Sequence, residues 1–224
     1  MAYQKIKNRE DYLLFLEADK YALGVNTDGW KQKLKRLIFP HYVWNFQKTL
    51  RKAEYYQNCK SGLLSKIIFA YTMKRYYMLS VKLGFDIPLN TFGPGLSIPH
   101  HGTIVVNHNA KIGANCRLHV CTNIGASAGI DKAPEIGDNC YIGPGAKIYG
   151  DIALADDTII AANAAVGRSF DESGISIAGV PAKKIGEFNA KKVILLAYQA
   201  AQKGLKRDNL SLSKEELNKM IESS

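Results

Sequence analysis

From Val106 onward the chain places an aliphatic residue at every sixth position: Val106, Ile112, Leu118, Ile124, Ile130, Ile136, Ile142, Ile148, Leu154, Ile160 and Val166. A period of six matches neither the 3.6 of a helix nor the alternation of a long strand. It fits a solenoid whose short faces turn a corner every six residues, with the aliphatic pointing inward. The next residue is glycine at Gly113, Gly125, Gly137, Gly143 and Gly167, and a small residue recurs four places on, among them Cys116, Cys140, Ala146 and Ala164. Cys116 and Cys140 therefore read as corner filling rather than chemistry. His100 falls six before Val106 and is expected in the inward slot of the first coil, as a core histidine or as a functional exception. Ala126 to Pro134 (ASAGIDKAP) carries Gly129, Asp131 and Pro134 and reads as a loop projecting from the coils.

The solenoid pattern occupies residues 86–186, between two helical pieces. In residues 1–85, Asn8 caps a helix through Tyr12, Phe15, Leu16 and Ala18 that ends near Gly24. A shorter helix is expected over Trp30 to Phe39. Pro40 opens a helix with Val43, Phe46, Leu50 and Ala53 on one face, and Leu63 to Leu83 forms another, stopped by Gly84. The aromatics of this piece read as packing. Residues 187–224 return to helix, with Ser213 and Glu216 forming a capping box for the last one.

The charge is unevenly spread. Residues 1–85 hold 16 Lys and Arg against 6 Asp and Glu, which accounts for the whole net charge of +10. A basic surface favours a membrane face, an anionic glycan or a lipid-linked phosphate, although a solvated helical face needs no partner. Nucleic acid is not expected, because no helix-turn-helix, zinc-finger or RNA-binding signature accompanies the charge. The four cysteines lack C-x-x-C spacing and imply no zinc site. No apolar run opens the chain, so a cytoplasmic protein without signal peptide is expected, with contact at the inner membrane face as an extension. Leu63 to Val81 is broken by Lys66, Lys74 and Arg75 and is not expected to span a bilayer.

With the repeat, the projecting loop and the closing A-G-V-P-A-K-K-I-G (Ala178 to Gly186) in hand, the chain resembles the hexapeptide-repeat acyltransferases, left-handed parallel β-helix proteins that use acetyl-CoA. The stretch G-P-G-L-S-I-P-H-H-G-T-I-V-V-N (Gly93 to Asn107) makes it similar to the serine acetyltransferase branch. The resemblance implies a homotrimer, or a dimer of trimers, and no metal. It implies that His100 is the base that deprotonates the acceptor hydroxyl, with His101 in reserve and Asp86 as the orienting carboxylate. An imidazole suits that task, because its proton affinity lies near neutral pH and an alcohol is otherwise a poor nucleophile. The family's acetyl-CoA groove implies donor contacts at Gly125, Ala126, Gly145, Ala146 and Ala164, with Arg168, Lys183 and Lys184 on the phosphates. His101, Asn107, His119 and Lys132 are the acceptor-side candidates.

Three departures bear on the acceptor. Asp86 lies fourteen residues before His100, one fewer than the family's spacing. Pro99 replaces the aspartate before the family's histidine, and Lys132-Ala133 replaces its arginine–histidine pair. A zwitterionic acceptor loses charged partners by these changes. The chain thus looks more like the O-acetyltransferases of capsule and other surface polysaccharides, which lack the serine-holding residues. That resemblance implies O-acetylation of a sugar or polysaccharide precursor, with serine O-acetylation in cysteine biosynthesis as the alternative and a non-catalytic β-helix scaffold as a third reading.

Overall fold

A computed structural model describes residues 5–25, 38–129 and 131–187. The expected helix over 30–39, Ile130 of the repeat and the tail helices with Ser213 and Glu216 fall wholly or largely outside the described residues. Helix α1 (Arg9–Ala22) starts where Asn8 accepts a hydrogen bond from the Asp11 amide at 2.8 Å, and the chain leaves it through Gly24 in the left-handed region. Helix α2 (Tyr42–Cys59) buries Val43, Phe46, Leu50 and Ala53 on one face. Helix α3 (Leu63–Leu83) ends at Gly84, whose φ of 76° gives the αL cap that a β-carbon would strain.

The rest is a three-sided solenoid of parallel sheets. The first sheet stacks β1 (Phe85–Asp86), β2 (Ile104–Val106), β5 (Thr122–Gly125), β8 (Lys147–Tyr149) and β11 (Ala165–Val166). The second holds β3 (Lys111–Ile112), β6 (Glu135–Ile136) and β9 (Ala153–Leu154). The third holds β4 (Arg117–Leu118), β7 (Tyr141–Ile142), β10 (Ile159–Ile160), β12 (Ile175–Gly179) and, antiparallel at its edge, β13 (Ala182–Glu187). The ten described positions of the six-residue series are all buried. Ile112 pairs with Ile136 and Leu118 with Ile142, one coil plus six residues apart, because the loop at 126–134 is inserted between β5 and β6. Cys116 and Cys140 are buried as expected, and burial pushes the Cys140 thiol up to about 12 and the Cys116 thiol well above its usual value.

One corner type carries a polar ladder. Asn115, Asn139 and Asp157 all have φ between 53° and 56°. Asn115 Nδ2 donates to Asn139 Oδ1 at 2.9 Å, and Asn139 Nδ2 donates to Asp157 Oδ1 at 3.1 Å. Short polar side chains tolerate the left-handed region and bond the coil beneath. Gly95 occupies the same corner one coil earlier, where a β-carbon would fall 2.5 Å from Asn115 Oδ1. Gly93-Pro94-Gly95 is thus a structural corner.

The first coil has no coil above it, and the helices supply the missing partners. Asp19 accepts from the amides of Gly95 and Leu96 at 2.9 Å each, and Arg51 donates to the carbonyls of Phe92 (2.9 Å) and Gly93 (2.7 Å). Arg51 also pairs with Asp19 at 2.8 Å and Glu54 at 3.0 Å, all three essentially without exposed surface. Burial raises Asp19 and Glu54 above the usual carboxylate range against the pull of Arg51. The two carboxylates in turn hold the buried guanidinium protonated. Apolar packing is continuous across the junction, since Phe46, Leu50 and Leu83 join Phe85, Ile87 and Ile104 in one core. The helical piece is therefore a cap on the solenoid.

Candidate active site

The strand pairing corrects the expected register of His100. Ser97 pairs with Arg117 and Phe92 with Ile112, so Ile98 rather than His100 lies above Leu118 in the inward column. Val106 pairs above Ile124. From Ile98 to Val106 is eight residues, whereas the corresponding step from Leu118 to Ile124 is six. The two extra residues lengthen the corner between the third and first sheets and push Pro99, His100, His101 and Gly102 outward. His100 and His101 are consequently exposed, and the core-histidine reading fails. Gly102 (φ 149°) lets this corner settle on Val120, which a β-carbon would meet at 3.0 Å.

Below the lengthened corner lies His119, at the same corner of the next coil. Its ring centroid is 6.2 Å from that of His100 and 5.0 Å from that of Tyr141. His119 Nε2 is buried and has no hydrogen-bond partner among the described residues. Burial, then Arg117 and His100, lower its pKa from the ordinary imidazole value. An unpaired buried nitrogen in a site-lining imidazole is available to a ligand group. His119 also lines a cleft of about 580 Å³ with Arg117, Tyr141, Ile159, Ser176 and Ile185 on the outer face of the third sheet. Arg117 and Tyr141 were not anticipated; each directly precedes an inward aliphatic of a third-sheet strand, and that offset was the available signal.

The remaining candidates separate onto different edges. Gly145 belongs with the histidines, on the third-to-first edge. That edge continues downward as a ledge of small residues, Pro144–Gly145, then Ala162–Asn163, then Gly179–Val180, with Asn163 N donating to the Pro144 carbonyl at 2.9 Å. A β-carbon on Gly145 (φ 79°) would fall 2.0 Å from Asn163 Oδ1 and force that side chain to move. Ala146 and Ala164 lie on this edge too, but both are wholly buried and fill the coil interior, so they offer no surface to a ligand. Beyond the ledge, the β12–β13 hairpin carries Lys183 and Lys184, both exposed, with Lys184 paired to Glu172 at 2.5 Å.

Asn107, Gly125, Ala126, Lys132 and Arg168 sit at the opposite end of the first sheet, where its strands pass to the second. Asn107 Oδ1 accepts from the Asn109 amide at 2.9 Å and so shapes its own corner. Lys132 pairs with Asp151 at 2.7 Å, Ala133 is buried, and Arg168 covers the Phe170 ring at 4.9 Å. Within one subunit these residues do not meet His100. Asp86 is exposed in β1 beside Val105 of β2, and no hydrogen bond joins it to His100 or His101 among the described residues.

Residues 133–168 match the bacterial transferase hexapeptide family (six repeats). A serine acetyltransferase of Mycobacterium tuberculosis is 33% identical over 107 residues, which are 46% of this chain and 46% of that protein, so the chain spans about half the length of that relative. One from Helicobacter pylori is 28% identical over 141 residues, 58% of this chain and 82% of that protein. Among solved structures, a Neisseria gonorrhoeae serine acetyltransferase in complex with serine superposes with a TM-score of 0.58 at 25% identity, covering 80% of this chain and 70% of that one. The repeat and this likeness imply the left-handed winding of the β-helix behind its N-terminal helices.

Proposed function

We propose that this chain is an acetyl-CoA-dependent O-acetyltransferase of the serine acetyltransferase type, with His100 as general base. The observation that carries the reading is the lengthened corner, which lifts His100 out of the core at the head of a small-residue ledge that ends near Lys183. The relatives support the reaction class, and the family resemblance implies acetyl-CoA as the donor. An extended thioester arm lies along that ledge with its acyl end at His100 and its phosphates toward Lys183. His100 removes the proton of the acceptor hydroxyl as its oxygen attacks the thioester carbonyl; the carbon–sulfur bond then breaks, and the imidazolium returns the proton to the departing thiolate. The donor contacts expected at Gly125, Ala126 and Arg168 lie on the opposite edge, so in this reading a neighbouring subunit of a trimer supplies them.

Serine, set second by the sequence, is the acceptor that the relatives favour. A specific observation favours a glycan hydroxyl as the second reading. The loop positions that replace the family's charged pair are a buried Ala133 and a Lys132 already paired with Asp151. Neither grips an ammonium and a carboxylate. The test is steady-state acetyl transfer to L-serine and to a panel of sugars at saturating acetyl-CoA. Efficient turnover of serine above every sugar establishes the first reading; a kcat/KM for serine lower by about 10² or more than for a sugar establishes the second.

A further inference from the structure

Helix α3 presents an apolar face that no described residue covers. Leu63, Leu64, Ile67, Tyr71, Met78 and Val81 are each 58–78% exposed, whereas only Thr72, Ser80 and Leu83 of its 21 residues are buried. At 100° per residue the six fall on one side. Lys66 borders that side, Lys74 lies within it, and Arg75 and Lys82 border it opposite. The whole helix contains no Asp or Glu. Beside it, α1, α2 and α3 enclose a pocket of about 230 Å³ lined by Lys48, Lys52 and Arg75 with Tyr12, Thr49 and Tyr71 and, among the described residues, by no carboxylate. Tyr71 belongs to both the pocket and the apolar face, so a cationic recess opens directly beside exposed hydrocarbon.

We propose that the outer face of α3 docks on an anionic lipid surface. Its apolar side chains enter the interface, its cations meet lipid phosphates, and the pocket takes a headgroup. Charge selects this occupant. A second copy of the chain docked through the same face would bring four more cations and no carboxylate against these four. Lipid phosphates neutralise them, and an apolar stripe edged by Lys and Arg is the pattern of a helix lying in a membrane interface. No described helix is long and apolar enough to cross a membrane. The proposal stands whichever hydroxyl is acetylated.

The experiment is vesicle flotation of the full chain with phosphatidylcholine alone and with phosphatidylcholine containing phosphatidylglycerol. The expected result is binding to the anionic vesicles only, weakening as salt is raised. K74E/R75E should lower the partition coefficient about tenfold or more, since one cation near the surface is worth about a factor of five. I67E/M78E should lower it similarly, with both variants keeping the wild-type melting temperature and oligomeric mass. Equal binding to both vesicle types, or none, overturns the proposal. So does a changed oligomeric mass in I67E/M78E with vesicle binding intact, which would assign the face to a second copy. Release from vesicles by inorganic phosphate at constant ionic strength would assign the pocket to a free anion and also overturn it.

Discussion

In the solenoid each coil repeats one solution: an aliphatic inward, a glycine, asparagine or aspartate at the corner, and backbone hydrogen bonds to the coil above or below. In the helical cap nothing repeats. Its critical contact is one buried arginine paired with two carboxylates; Arg51, Asp19 and Gln47 together meet five backbone groups of residues 92–96 that the first coil leaves open. Ending a solenoid takes contacts of another kind than extending it. A terminal coil has unpaired amides and carbonyls, and if these are buried they must be met by side chains. The basic character of residues 1–85 thus has two parts: Arg51 is a buried strut, while the cations of α3 are exposed.

The contrast is testable by breaking each region's device. Arg51→Met leaves Asp19, Glu54 and two carbonyls buried without their donor and should cost about 3–5 kcal/mol of stability, read by urea unfolding. A loss near zero would make the cap peripheral to the fold. Asn139→Ala removes both rungs of the corner ladder and forces alanine into the left-handed region, and should cost about 1–3 kcal/mol by the same measurement. The smallest effect concerns protons. His119, buried and beside Arg117 and His100, should titrate by NMR below the ordinary imidazole value. The unfolded chain then binds this proton first, so the contribution of His119 to stability is present above its unfolded pKa and is lost as pH falls through the folded one. A midpoint at or above the ordinary value would show that a carboxylate reaches it.

The repetitive region was legible because each coil restates the same rule; ten described aliphatics and two buried cysteines follow from spacing alone. The helices were legible for a similar reason, since Asn8 and Gly84 are local signals. What escaped was one-off. The polar stripe Gln47, Arg51 and Glu54 runs at i, i+4 and i+7 beside the apolar stripe of α2, yet spacing does not say that a polar stripe is buried. Counting sixes through residues 98–106 failed because the corner there holds two extra residues, and pairing across coils, not periodicity, reveals such an insertion. The candidate site inherits that limit: the histidines were identifiable by type, but their exposure was not. Asn107 lies close to His100 and His101 along the chain but at the far end of the first sheet, as does Lys132, a separation that only the winding sets.

On the proposed reading, the lengthened corner exists to present His100 as a base. It is tested by coenzyme A thiol release on acetyl transfer with His100→Ala and His101→Ala, alongside thermal unfolding of each. The expected result is a kcat lower by about 10²–10⁴ for His100→Ala, with an unchanged melting temperature because the imidazole lies outside the core, and near-normal turnover for His101→Ala. Wild-type kcat in His100→Ala would contradict it.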